Sequence, residues 1–118
     1  MNTGYVSLPQ NATVADAMAE LRNNEDILED VHTIFLTDEQ DRLTFSVPLA
    51  KLFFGAGETP LQELASDPLL YVHLGDKQDR IAEMFDKYNL LSLPVLDEEN
   101  KLVGVITVDD VVALLRNS

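Results

Sequence analysis

The most chemically suggestive stretch of the 118-residue chain is Gly104-Val-Ile-Thr107-Val-Asp-Asp110. A glycine lets a ligand approach the backbone closely. A threonine hydroxyl where a strand gives way to a helix can donate to a phosphate, beside the free N–H groups of the first helical turn. A carboxylate three residues on faces the same way and can accept from two ribose hydroxyls. The same Thr-x-x-Asp spacing also makes a plain helix cap, with Asp110 as the capping-box partner of Thr107. The two uses are compatible.

Other chemistry is sparse. The absence of cysteine excludes disulfides, zinc–thiolate sites and thiol nucleophiles. His32 and His73 stand 41 residues apart in expected strands, with no ligand at a fixed spacing. No nucleophile–base–acid set can be assembled, so catalysis is not expected. Gly55-Ala-Gly57 lacks the Lys and Ser/Thr of a phosphate-cradling loop. Asp97-Glu-Glu-Asn100 lacks the glycine and spacing of a calcium-binding hand and reads as a hairpin turn. The conspicuous feature is charge: 21 Asp+Glu against 8 Lys+Arg, a net −13. This argues against nucleic acid and against anionic membrane surfaces. It fits cations, or simply solubility. For any single acid, a solvated surface is the default role.

The elements that must position these groups follow from the pattern. Tyr5–Leu8 reads as a short extended piece closed by Pro9. Thr13 with Asp16 opens a helix whose apolar face is Val14, Ala17, Met18 and Leu21. Residues 23–30 form an acidic connection with room for one helical turn. Val31–Thr37 and Arg42–Val47 read as strands around the turn at Asp38–Asp41. Pro48 suits the first turn of a helix with Leu49, Leu52 and Phe53 as its stripe, ended by Gly55. Pro60–Ala65 is one helical turn and Leu69–Leu74 another strand. Asp76 starts a long helix bearing Ile81, Met84, Phe85 and Tyr88. Leu91–Leu96 and Lys101–Thr107 are strands, and Val108–Arg116 a terminal helix with Val111, Val112, Leu114 and Leu115 apolar. The longest apolar runs, such as Leu102–Val108, fall far short of the ~20 residues that span a bilayer. Met1–Pro9 lacks the form of a signal peptide. A soluble, cytosolic chain is expected, either freestanding or part of a larger protein.

This pattern occurs twice. Thr37–Leu43 (TDEQDRL) matches Leu96–Leu102 (LDEENKL) at an offset of 59, and the helix at Val14 matches that at Gln78 at an offset of 64. The five additional residues lie in the acidic 23–30 segment. Residues 1–65 and 66–118 are thus two repeats, each too small to be more than marginally stable alone. Packed sheet against sheet, they would bury each other's open faces. They carry net charges of −8 (11 acids, 3 bases) and −5 (10 acids, 5 bases).

Leu93-Pro-Val-Leu-Asp97, the turn, and Leu102-Val-Gly-Val-Ile-Thr-Val-Asp-Asp110 together resemble the CBS (cystathionine β-synthase) domain. Two in tandem resemble a Bateman module covering essentially the whole chain. Among such pairs the chain looks most like the cytosolic pair of MgtE-type magnesium transporters. The resemblance rests on the longer first helix-to-strand connection, the Ala82-x-Met84-x-x-x-Tyr88 helix and GVITVDDVV. It implies an α/β (α+β) fold of two β-α-β-β-α repeats with pseudo-twofold symmetry, and a homodimer on the cytoplasmic side of a transmembrane channel domain. It also implies ATP or AMP at Gly104, Thr107 and Asp110, with Thr107 on phosphate and Asp110 on ribose. Mg²⁺ would be held with the help of Asp79 and Asp110, although Lys77 and Ala113 stand where the family would have acids. In the first repeat the corresponding positions are Phe45, Pro48 and Lys51, which offer neither close approach, nor a hydroxyl, nor a carboxylate. At most one nucleotide per chain is therefore expected. The resulting reading is a Mg²⁺-sensing regulatory module. The alternatives are a freestanding adenine-nucleotide module acting on a partner protein, and a ligand-free dimerisation module.

Overall fold

The structure, a computed structural model, describes residues 3–116, except for the side chains of Leu114 and Leu115. The expected apolar roles of those two leucines therefore lie outside the described residues. The chain divides into two compact units, one of Tyr5–Leu69 and one running from Leu70 onward that also takes in residues 3–4.

In the Tyr5–Leu69 unit, β1 (Val6–Pro9) leads into α1 (Val14–Arg22) and a 3-10 helix, Glu25–Asp30. Then come β2 (Thr33–Thr37), β3 (Leu43–Pro48) and two further 3-10 helices, Leu49–Phe54 and Leu61–Leu64. The sheet order is β1-β2-β3, with β1 parallel and β3 antiparallel to β2. The crossover α1 allows the parallel pair, and the tight turn allows the antiparallel one. α1 begins in the expected capping box: the Asp16 carboxylate accepts the Thr13 N–H at 2.9 Å, and the Asp16 N–H donates to the Thr13 hydroxyl at 3.4 Å. Val14, Ala17 and Leu21 face a core centred on Ile34, Leu36 and Val47. Met18 lies at the edge of that stripe and is 40% exposed.

The Leu70-onward unit repeats the plan with β4 (Val72–His73), α2 (Gln78–Tyr88), β5 (Ser92–Leu96), β6 (Leu102–Thr107) and α3 (Val108–Arg116). Its order is β4-β5-β6, again parallel then antiparallel. Val72, Phe85, Leu93, Val95 and Val111 form its core. α2 ends at Asn89, whose left-handed backbone (φ 53°) carries an N–H back to the Phe85 carbonyl.

The two copies correspond residue by residue. Thr33 pairs with Pro48 and Ser92 with Thr107, and both hairpins slip register at the same place, Leu36/Thr37 and Val95/Leu96. In each turn one aspartate organises the loop. Asp38 Oδ1 accepts from the N–H groups of Gln40 (2.9 Å) and Arg42 (3.0 Å). Asp97 Oδ1 accepts from those of Glu99 (2.8 Å) and Lys101 (3.0 Å). Asp41 and Asn100 then take positive φ, 64° and 66°. Small polar residues tolerate that conformation.

Several expectations need correction. The helix expected from Pro48 is a 3-10 helix for which Pro48 serves only as the N-cap residue, and Phe53 points outward. A 3-10 row has a period of three, so Leu49 and Leu52 align while Phe53 falls off the row. The strand expected over Leu69–Leu74 pairs only at Val72 and His73. The long helix starts after Lys77, because Asp76 instead accepts the His73 N–H at 3.0 Å. His32 precedes β2, and its carbonyl accepts the Leu49 N–H.

Candidate functional site

The junction of β6 and α3 positions the motif residues. Gly104 is buried in mid-strand opposite Val95. Thr107 is the last residue of β6, and α3 begins at the next residue. Thr107 N–H donates to Asp110 Oδ2 at 2.9 Å, and Asp110 N–H donates to the Thr107 hydroxyl at 3.3 Å. This reciprocal box satisfies two donors that a helix start leaves unpaired. It also fixes both side chains at the mouth of the junction. The Thr107 hydroxyl is used as an acceptor, so its proton remains able to donate outward. Asp110 is engaged through one carboxylate oxygen, leaving the other to accept. A hydroxyl donor and a carboxylate acceptor, half-buried and held by the backbone, fit the phosphate and ribose groups of a nucleotide.

The first repeat has the same backbone and different chemistry. Phe45 lies opposite Leu36, as Gly104 lies opposite Val95. Pro48 caps nothing with its side chain, and the exposed Lys51 ammonium sits 5.5 Å over the Phe54 ring. A phenylalanine fills the space that a glycine leaves, and proline has no donor.

Asp79 stands exposed in the first turn of α2. Among the described residues no hydrogen bond or ion pair joins it to Asp110, and no three His, Asp or Glu side chains are placed to hold a metal ion together. The described residues do not by themselves build a metal centre.

Each repeat also has a cleft that the motif reading does not single out, beside the C-terminal end of its first strand and the hairpin turn. In the first unit it is about 490 Å³, lined by residues that include Pro9, Asn11, Asp38, Glu39 and Asp41. In the second it is about 610 Å³, lined by His73, Leu74, Gly75 and the acids 97–99. The repeated aspartate turn was the available signal for both. Desolvation pushes the Asp38 carboxyl up, but the Arg42 and Gln40 N–H groups and the Arg42 guanidinium together outweigh it and hold it below the usual carboxylate range. In the second cleft, His73 Nε2 bonds Asn100 Oδ1 at 2.9 Å and ties the strand end to the turn.

Residues 61–117 match the family model of the CBS domain. Over 115 residues, 98% of the chain, it is 30% identical to the magnesium transporter MgtE of Enterococcus faecalis. The chain spans about a quarter of the length of the MgtE relatives it matches, 25% in that case. A solved structure of the soluble part of a magnesium transporter superposes with a TM-score of 0.90 at 30% identity, over 98% of this chain and 45% of the other. The ATP complex of the cytosolic domain of the Mg²⁺ channel MgtE gives 0.89 at 31% identity, over 95% and 45%. With its duplicated three-stranded sheets and one intact Thr–Asp junction, the chain belongs to the CBS family and is a CBS pair like that of MgtE.

Proposed function

We propose that the chain is the regulatory, ligand-sensing CBS pair of an MgtE-like magnesium transporter, acting on the cytoplasmic face of the membrane. The observation that carries this reading is the match of nearly the whole chain to the soluble part of a magnesium transporter, 98% coverage at a TM-score of 0.90. Repeats 1–65 and 66–118 act together, as a homodimer beneath a transmembrane channel domain. Among the described residues no helix is long and apolar enough to cross a membrane, so any channel would be a separate part of the protein.

Adenine nucleotide, ATP or AMP, sits at the second repeat's junction. Gly104 admits it, Thr107 donates to phosphate and Asp110 accepts from ribose. The ATP complex of the MgtE cytosolic domain supports ATP as the first candidate.

Mg²⁺ is the sensed ion. It prefers oxygen ligands and keeps several waters. Asp79 and Asp110 each offer a carboxylate to sites completed by neighbouring domains. With 21 acids on the chain, a divalent cation relieves repulsion in a compact arrangement and shifts the population toward it.

The test is thermal melting in MgCl₂ against NaCl of equal ionic strength. A rise specific to Mg²⁺ supports the sensor. A nucleotide-dependent rise without a Mg²⁺-specific one supports a freestanding nucleotide module. No rise with either overturns ligand sensing and leaves a dimerisation module.

A further inference from the structure

Helix α2 carries an open groove of about 250 Å³, lined by Arg80, Glu83, Met84, Lys87 and Tyr88. These residues form two neighbouring rows at a spacing of four, Arg80–Met84–Tyr88 and Glu83–Lys87. Side chains four apart stand one above another on a helix, and the furrow between two such rows is where a second helix inserts a row of its own. Phe85, on the other side of α2, is its buried residue. Met84 is half-buried and Tyr88 is 39% exposed, so the groove has a partly apolar floor. A cation stands towards each end. The Arg80 side chain is 64% exposed and comes no nearer than 3.7 Å to Asp76. Glu83 precedes Lys87 by four residues, the favourable order for an ion pair. Among the described residues Lys87 nevertheless pairs with no carboxylate, and its ammonium lies 5.2 Å over the Tyr88 ring. At the repeat offset of 64, α1 has Asp16, Glu20 and Asn24 where α2 has Arg80, Met84 and Tyr88. There Asp16 is spent in the Thr13 box, and the Asn24 amide donates to the Glu20 carbonyl at 2.7 Å. The cationic, partly apolar row is thus peculiar to the second repeat.

We propose that this groove docks a helix of a partner protein, one that presents an apolar row flanked by carboxylates. The groove is smaller than the roughly 300–1,000 Å³ of a small-molecule site, and its two-row form suits a ridge of side chains. A free phosphate would meet Arg80 and Lys87 but leave Met84 and Tyr88 uncovered. Nucleic acid and anionic lipid are poor occupants for a chain of net charge −13. An acidic helix uses both features: its apolar row covers Met84 and Tyr88, and its carboxylates meet the two cations. Exposed ion pairs add little affinity, so burial of the floor supplies the binding and the charges choose the partner. The contact needs no divalent cation, so it stands whether or not the chain senses Mg²⁺.

The test is an amide NMR titration of the isotopically labelled chain with a synthetic amphipathic helix, leucine on one face and glutamate along its flanks. The signals of residues 80–88 should move and saturate. The same peptide with lysine for glutamate should move none of them. Arg80→Glu/Lys87→Glu should weaken binding of the glutamate peptide by about tenfold or more. Both side chains are exposed, so the variant's signals outside α2 should match those of the wild type. MgCl₂ should act no differently from NaCl of equal ionic strength. An unmoved α2, equal binding of the lysine peptide, indifference to the double substitution, or a contact that requires Mg²⁺ overturns the proposal. Movement of the same signals with chain concentration alone would put a second copy in the groove and overturns it too. So does inorganic phosphate that moves them with the affinity of the peptide, since the groove is then a simple anion site.

Discussion

The two strand-to-helix junctions share a backbone and differ in every side chain that could meet a ligand. Leu36 opposite Phe45 and Val95 opposite Gly104 occupy equivalent places in equivalent ladders. Thr107 and Asp110 close a reciprocal box, while Pro48 and Lys51 close none. The fold thus depends on the alternation of buried positions, which both repeats keep. The proposed recognition rests on three residues, Gly104, Thr107 and Asp110, which only the second repeat keeps. The first repeat also has a short 3-10 helix where the second has the terminal α-helix.

The largest expected effects test the shared part. Ile34 and Leu93 are each fully buried at the centre of their sheets, facing Val47 and Ile106. Ile34→Ala and Leu93→Ala should each cost about 2–5 kcal/mol in urea unfolding. A loss confined to one of them would break the equivalence of the two cores.

Caps come next. Thr13→Ala and Thr107→Ala each remove a box-forming hydroxyl and should each cost about 0.5–2 kcal/mol in the same assay. Grafting the motif with Pro48→Thr and Lys51→Asp should restore a cap but not a second nucleotide site, because Phe45 still fills the approach. Calorimetric stoichiometry with ATP should stay at one per chain.

The smallest effect concerns the turn. Asp38 has its pKa depressed below the ordinary 3.8, so its contribution is present above that value and is lost as pH falls through the depressed one. Asp38→Asn should therefore lower the melting temperature slightly at neutral pH, and the difference from wild type should vanish in acid. Asp38 sits in a surface turn and its partner Arg42 is half exposed to solvent, which keeps the effect small.

Much of this was legible from residues alone. The duplicated aspartate turns, the Thr13–Asp16 box and the inward Val14, Ala17 and Leu21 follow from spacing. The MgtE-like CBS pair was legible from GVITVDDVV and the repeat. The fate of Leu49–Phe54 was not, because Leu49, Leu52 and Phe53 fit an α-helical stripe, and only the turn geometry decides that Phe53 swings out. Met18 failed similarly: it has helical spacing but lies at the margin of a narrow face. The two clefts were signalled only by the repeated aspartate turns that line them, because strand ends meet hairpins only in three dimensions. The motif Gly104, Thr107 and Asp110 was readable as chemistry, whereas Asp79 carried no local signal beyond the resemblance.

The central claim is that recognition resides in the second junction alone. Melting with a saturating excess of ATP measures it directly in wild type, Asp110→Asn and Lys51→Ala. A ligand at a hundredfold its Kd stabilises by about 2.7 kcal/mol, enough to move the transition by several degrees. Asparagine retains an oxygen for the Thr107 N–H, so the cap survives while the charged ribose acceptor is lost. The account predicts a rise in wild type, the same rise in Lys51→Ala and little or none in Asp110→Asn. No rise in wild type, or a full rise in Asp110→Asn, would contradict it.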